Sequence, residues 1–404
     1  MLKQTYEDLM KKNVLITGGG HSEIPLIEAL HELGYNVISA GLNRDGLGHR
    51  IADIYEPADF SDKEEMLRLA KKYHVSGIVS GCNDFAYLSA AYVAEQLGLK
   101  GYDNMTTARR IHHKNAFRTL QKDCGVICPG FVVCENYDDL DRVQNTLELP
   151  VVVKPVDLTG GKGVEICDTW EAVRKQFAET AKVTREPRII IEEYISGDNH
   201  GTSMLLKGEK VVFSFFDNEQ YFKNKYLVSG AYSPSDLSRE QKDAVIAQVE
   251  LLASQAKLCD GLFHCQFIID KEGLPYLIDP CRRAPGDLYV QLVSYATGIN
   301  YPRAIVKSQL GLSLDDELAY THVNRCIARE CLMAEANGFI KRISIDPDYE
   351  NHIIDKMQFL YPGDKIDNYM TFKAGIVFFE YASQDELKER MNCFYDHAKI
   401  DILA

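Results

Sequence analysis

No stretch of the 404 residues reaches the roughly 18 consecutive apolar positions that a membrane helix needs, so no membrane span is expected. Low-complexity tracts and repeats of obvious period are missing too, which removes the disordered and solenoid classes. Basic residues are in deficit: 45 Lys and Arg stand against 59 Asp and Glu, for a formal charge of -14. No clustered basic stripe is present for phosphate backbones to meet, so small molecules are the expected partners, with neither nucleic acid nor membrane among them. The opening MLKQTYEDLMKKN is amphipathic without a continuous apolar core, so it does not read as a signal peptide, and the expected location is cytoplasmic. Only 28 Gly and 13 Pro, with 46% hydrophobic and 26% charged residues, give the balance of a globular chain. Its length suits two or three domains. Eleven cysteines, an odd number, are scattered through strand-like and helix-like runs, which suits reduced thiols better than a disulfide framework. The closest cluster, Cys124, Cys128 and Cys134, lacks the paired spacing and nearby histidines of a zinc site.

Residues 13–100 alternate short apolar runs with helical periods: NVLITGGG, SEIPLIEALHELG, YNVISAG, KEEMLRLAKKYH, VSGIVSG and DFAYLSAAYVAEQLG. Strand alternating with helix across short loops predicts a parallel, Rossmann-like sheet. A helical period then stops at Gly125 and Pro129, and the runs PVVVKP, RIIIEEYI and TSMLLKGEKVVFSFF predict an antiparallel α+β region. A long helix is expected at SREQKDAVIAQVELLASQAKLC, followed by a hairpin in HCQFIIDKEGLPYLIDP. The last stretch mixes short strands and helices and reads as a small closing subdomain.

Two glycine-rich turns carry the chemistry. LITGGGHSE leads from a strand to a helix N-terminus and so can seat an anion on backbone N–H groups. As a dinucleotide fingerprint it fails twice, with Glu23 at the third glycine position and ISAGLN where a ribose-binding acid belongs. A tight turn without ligand and a small-substrate site at the sheet's carboxyl edge both remain open, and SGCNDFA, Ser80 to Ala86, ends an equivalent strand. The second turn follows VVVKP. Lys154 closes that β-branched run, and Thr159, Gly160, Gly161, Lys162 and Gly163 form a loop able to lay N–H groups and an ammonium on a polyphosphate. The Walker A spacing is absent and VEICDT, a strand, follows, so no helix dipole assists.

Around this loop stand Lys114 on a helix, Glu192, Glu193, Tyr194 and Ile195 at a strand end suited to a flat hydrogen-bonding group, and Gln266 and Asp279 on paired strands. Oxygen ligands at the last two positions suit Mg²⁺, and the arginines after them would meet a phosphoryl group.

Taken in this order, the motifs resemble the ATP-grasp superfamily over roughly residues 13–400, most closely the branch with biotin carboxylase, carbamoyl-phosphate synthetase domains and amino-acid ligases. The resemblance implies a multidomain α/β and α+β architecture: a Rossmann-like pre-ATP-grasp domain at 1–110, an ATP-grasp core at 111–325 with a flap at about 130–195, and a C-terminal part at 326–404. It implies ATP with Mg²⁺, Mn²⁺ being the alternative, and suggests a homodimer. Lys114 and Lys154 take the part of the phosphate-holding lysines, Gly160, Gly161, Lys162 and Gly163 that of the flap loop, Glu192 that of the adenine-amine acceptor, and Glu193 and Ile195 that of backbone hinge contacts. Asp279 takes the part of the main metal carboxylate, Arg283 that of the arginine on the transferred phosphoryl group, and Lys223 or Lys225 that of one more phosphate contact. Asn199, Gln266 and Cys281 depart from the family's ribose-binding glutamate, first metal carboxylate and metal-binding asparagine. An amide at 266 removes a unit of charge from a hard-cation site.

The implied activity is ATP-dependent carboxylate–amine ligation through an acyl phosphate, on a small carboxylic acid and an amine, with Arg283 and Lys154 catalytic. Substrate contacts are assigned to Gly20, His21, Asn83 and Asp84 in the N-terminal crevice. The alternatives are a bicarbonate-activating or purine-type enzyme and, from another class, an ATP-binding protein with weak or no catalysis.

Overall fold

A computed structural model of the protein describes residues 11–158 and 160–403. Thr159 and most of the amphipathic opening segment lie outside the described residues.

The N-terminal sheet comprises β1 (Asn13–Thr17), β2 (Asn36–Ala40), β3 (Ile54–Glu56) and β4 (Gly77–Ser80), all parallel in the order β3-β2-β1-β4. Val14, Leu15 and Ile16 are fully buried in succession. Helices cover both faces of such a sheet, and its strands therefore read as continuous apolar runs. The helix Asp84–Leu97 starts where Asn83 accepts from the Phe85 N–H and ends at left-handed Gly98.

The flap sheet is antiparallel: β5 (Phe131–Cys134), β6 (Val151–Pro155), β7 (Glu165–Cys167) and β8 (Ile189–Glu193), in the order β5-β8-β6-β7. The helix Trp170–Thr180 packs Phe177 into its own small core with Val151, Val153 and Ile191.

The chain continues through β9 (Gly197–Lys207), β10 (Lys210–Tyr221), β11 (Val228–Ser233), β12 (Gly261–Asp270), β13 (Pro275–Cys281), β14 (Cys326–Leu332), β15 (Gly338–Ile345), β16 (Ile353–Gln358), β17 (Lys365–Ile366), β18 (Gly375–Tyr381) and β19 (Ala398–Leu403). Eight of these form one sheet in the order β13-β12-β9-β10-β11-β14-β18-β16, and β17-β15-β19 form a separate one. The segment after residue 326 is thus divided: β14, β18 and β16 extend the large sheet, and only the other three strands stand apart. The sequence of β18 shows why. Ile376 and Phe378 enter the main core while Val377 and Phe379 enter the C-terminal one, so period-2 alternation serves two apolar faces and leaves no polar side.

The long helix Arg239–Ala256 begins in a capping box between Ser238 and Gln241, legible in SREQ, and buries Val245, Val249 and Leu252 against the large sheet. No helix among the described residues is long and apolar enough to cross a membrane.

Candidate active site

A cavity of about 500 Å³ lies between the flap sheet and the large sheet. Its centre is built on one buried arginine. Arg118 sits one helical turn after Lys114 on the helix Lys114–Cys124, so the two share a face. Its Nε donates to Glu192 Oε1 at 2.8 Å and its Nη2 to Oε2 at 3.3 Å. It also donates to the carbonyls of Leu277 and Ile278, both at 3.1 Å, on the strand that presents Asp279. Helix, flap sheet and large sheet therefore meet at one guanidinium.

Lys154, near the end of a fully buried strand run, donates from Nζ to Glu192 Oε2 at 2.7 Å. Burial alone would raise the Glu192 pKa, but Arg118 and then Lys154 hold the carboxyl at about 2. Burial pushes Lys154 down; the Glu192 carboxylate opposes this, and the Arg118 cation adds to it. Lys114 Nζ donates to the Leu158 carbonyl at 2.8 Å and lies 3.1 Å from Asp279 Oδ1. Asp279 is the cross-strand partner of Gln266.

Arg283 reaches across to the N-terminal layer, where its Nε donates to Asp84 Oδ1 at 2.8 Å. His112 Nε2 accepts from the Arg282 N–H at 3.2 Å, which leaves the proton on Nδ1, 3.2 Å from the same Asp84 oxygen. Burial would raise Asp84; Arg283 and His112 instead hold it far below the usual carboxylate range. Arg282 does not reach the cavity wall. It is spent on Asp103 at 2.9 Å, so only one arginine of the pair faces the site.

Of the residues expected from sequence, Lys114, Lys154, Gly160, Gly161, Glu192 and Glu193 line the cavity, as do Ile195, Asn199, Gln266, Asp279, Arg283 and Asp84. Several roles change. The Glu192 carboxylate is held by Arg118 and Lys154 and so is not an open acceptor for an adenine amine. The Glu193 N–H donates to the Gly130 carbonyl at 2.9 Å, so a hinge contact cannot come from that group. Lys162 is exposed, and neither it nor Gly163 lines the cavity. Lys225 lines it, whereas Lys223 turns away to Glu335 at 2.8 Å. Cys281 lines it with a buried thiol that burial pushes up to about 12.

Gly20, His21 and Asn83 lie outside the cavity wall. The Gly20 and Cys82 N–H groups both donate to the Glu23 carboxylate, at 2.7 and 2.8 Å, so the turn that could seat an anion holds one of its own. A Cβ at Gly19 would lie 2.0 Å from His49 Nδ1, so that ring fills the remaining space over the glycines. His21 stacks on Phe359 with ring centroids 4.1 Å apart, and Asn83 is used as a helix cap.

Sequence reasoning missed Arg118, Glu219 and Asp157. The spacing of four from Lys114 was a signal for the first. For Glu219, the alternation Asp217, Glu219, Tyr221 along one strand put polar groups on a face that ought to be apolar. Gln266 Nε2 donates to both Glu219 oxygens, at 2.8 and 2.9 Å. Burial and then Asp217 push the Glu219 carboxyl up to about 8, against Tyr221 and Gln266. Asp157 accepts from Thr184 Oγ1 at 2.8 Å and from the Arg185 and Glu186 N–H groups at 2.9 and 3.0 Å, which pins the base of the glycine loop to the loop that follows the flap helix.

Among the described residues no group of three or more His, Cys, Asp and Glu side chains could hold a metal unaided. Asp279 and Gln266 offer one carboxylate and one amide, oxygen donors that fit Mg²⁺ arriving with the oxygens of a polyphosphate.

Residues 147–288 match the ATP-grasp domain family. Among solved structures, L-amino acid ligase from Bacillus licheniformis superposes with a TM-score of 0.82 at 22% identity, covering 98% of this chain and 99% of that one. Phosphoribosylglycinamide synthetase from Anaerococcus prevotii gives 0.78 at 21%, covering 98% and 100%. The biotin carboxylase domain of Hydrogenobacter thermophilus 2-oxoglutarate carboxylase, solved as a dimer with MgADP, ADP and bicarbonate, gives 0.78 at 18%, covering 97% and 91%. Identities at this level establish a shared fold. Residues 147–288 carry the match to the ATP-grasp domain family, and nearly the whole chain shares the fold of these solved structures.

Proposed function

We propose that the protein is an ATP-dependent carboxylate–amine ligase. The observation that carries this reading is the convergence of Lys114, Lys154, Asp279 and Arg283 on one cavity between two antiparallel sheets, beneath a glycine loop. Three cations and a carboxylate without a nucleophilic serine or thiolate suit phosphoryl transfer, which is positioning plus charge neutralisation. The Cys281 thiol at the wall is protonated at neutral pH and supplies no nucleophile.

In this reading a substrate carboxylate oxygen attacks the γ-phosphorus, the bond to the β-phosphate oxygen breaks, and ADP leaves. An amine then adds to the acyl carbon and phosphate departs. Lys154, pre-positioned by Glu192, and Lys114, steadied by Leu158 and Asp279, neutralise the transferring phosphates. Arg283, oriented by Asp84, faces the oxygens of the acyl phosphate. Gly160 and Gly161 close over the site and keep out the water that would hydrolyse that intermediate. Asp279 and Gln266 would hold Mg²⁺ or Mn²⁺, whose charge would further neutralise the polyphosphate. The expected division into 1–110, 111–325 with its flap, and 326–404 belongs to the same proposal, as does a cytoplasmic location.

The test is ADP release from Mg-ATP across a matrix of carboxylic acids and amines, with bicarbonate as a separate arm. ADP formed only when one acid and one amine are both present supports ligation. Bicarbonate-stimulated release without an acid favours a carboxyphosphate enzyme, and ATP binding without ADP across the matrix favours a nucleotide-holding protein. Lys154→Ala should reduce turnover roughly a hundredfold or more while far-UV dichroism is unchanged. Near-wild-type turnover would sink the assignment.

A further inference from the structure

One row of side chains across three strands of the large sheet lines the cavity. The antiparallel register pairs Glu219 of β10 with Ala231 of β11, and Ala231 with Arg329 of β14. Register partners point to one face, so the three stand side by side, and all three line the cavity. With strands about 4.8 Å apart, an acid and an arginine flank one methyl group, their Cα atoms separated by roughly 10 Å.

The two polar ends of this row are not spent on each other. Arg329 is 2% exposed, and its Nη1 donates to the Asp287 carbonyl at 3.1 Å. Its Nε has no hydrogen-bond partner among the described residues. The nearest Asp287 carboxylate oxygen is 3.8 Å away and is bonded instead to Lys373. Arg283 differs, since it already holds Asp84 at 2.8 Å. A buried guanidinium with an unpaired edge is unfavourable by itself and well shaped for a carboxylate. At the other end of the row, Glu219 accepts only from neutral donors, Gln266 and Tyr221.

We infer that this row holds an α-amino acid, its carboxylate on Arg329, its amino group on Glu219 and its backbone over Ala231, as the amine substrate of the ligase proposed above. The order of the groups sets the direction. Glu219 bonds Gln266, the cross-strand partner of Asp279, so the nitrogen end lies toward the phosphates and the carboxylate end away from them. The protonated amino group gives up one proton to solvent to become nucleophilic. Its nitrogen forms the new bond to the acyl carbon, the carbon–oxygen bond to phosphate breaks, and a second proton is lost as phosphate leaves.

This inference rests on the ligase reading, and one calorimetric series separates the two. A non-hydrolysable ATP analogue is titrated first; the loaded protein is then titrated with the twenty amino acids in small pools, and each binder with its decarboxylated amine and its 2-hydroxy acid. At least one amino acid should bind, with both counterparts roughly 10- to 100-fold weaker, the range for losing a charge-assisted hydrogen-bonded group. Arg329→Met should weaken the amino acid by at least about tenfold. Ala231→Leu, which fills the gap and leaves the Arg329 and Glu219 side chains in place, should do the same, and a nucleotide titration on each variant reports whether it has folded. The inference is overturned if no amino acid binds the loaded protein, if the amine binds as tightly as its amino acid, or if Ala231→Leu binds like the wild type. A wild-type protein that fails the first titration overturns the ligase reading instead.

Discussion

Two turns in this chain present the same raw material, a buried strand running into glycines, and end differently. At residues 17–23 the N–H groups of Gly20 and Cys82 converge on Glu23, and the His49 ring covers the glycines. At residues 160–163 Gly160, Gly161 and Gly163 take left-handed φ of 67°, 70° and 71°, and the first two line an open cavity with Lys114 and Lys154. Gly161 is required there, because a Cβ would come within 2.5 Å of the Tyr226 side chain. The difference lies in who supplies the anion. The first turn carries its carboxylate three residues on; the second stands beside Lys154 and Lys114, whose carboxylate partners Glu192 and Asp279 come from other strands.

The largest effect that sharpens this contrast should come from Arg118. Arg118→Met removes two bonds from the buried Glu192 carboxylate and the donors to Leu277 and Ile278. Leaving a buried charge without its main partner costs about 3–5 kcal/mol, so denaturant unfolding should show a loss of that order. A loss under about 1 kcal/mol would mean that Glu192 relaxes to solvent and that the cation platform is not built on it.

The same carboxylate gives the fold an acid limb. Arg118 and Lys154 overcome the effect of burial and bring the Glu192 pKa down from 4.5 to about 2. A depressed acid stabilises the folded state above its unfolded pKa and loses that stability as pH falls through the folded one, here between about pH 4.5 and about pH 2. At about 1.4 kcal/mol per unit the full swing is roughly 3 kcal/mol. The wild type should therefore lose more stability than Glu192→Gln between about pH 5 and about pH 3. Parallel acid limbs would show that the depressed titration is not there.

The strand runs, glycines and lysines around the cavity were legible because each is local. A β-branched run ending in Lys154 is a strand end wherever it is placed, and the helical period puts Lys114 on a helix. Long-range pairings were not legible. Nothing in IIIEE says that Arg118, 74 positions earlier, will hold Glu192, and nothing in FFDNEQYF says that Gln266 will meet Glu219 across an intervening strand. The divided C-terminal segment was hidden for a related reason: β18 reads as a uniformly apolar run, and only tertiary packing reveals that its two faces serve two cores. Gly20 was assigned to substrate on the position of its turn; the Glu23 side chain, three residues along, was the local signal against it.

That assignment can be turned into a test with the smallest expected effect. Glu23→Ala takes away one carboxylate that two N–H groups share, which should destabilise the protein by about 2 kcal/mol. It also leaves those two N–H groups facing a space that a small oxyanion fits. Phosphate or sulfate should then raise the variant's unfolding midpoint in proportion to the logarithm of anion concentration, as a ligand of the folded state does, and raise the wild type's by less. Glu23→Gln should fall between them, since one of its amide positions still accepts and the other turns a donor toward an N–H. If anion stabilises wild type and Glu23→Ala alike, the N-terminal turn is already open to ligands, and the contrast between the two glycine turns is one of degree.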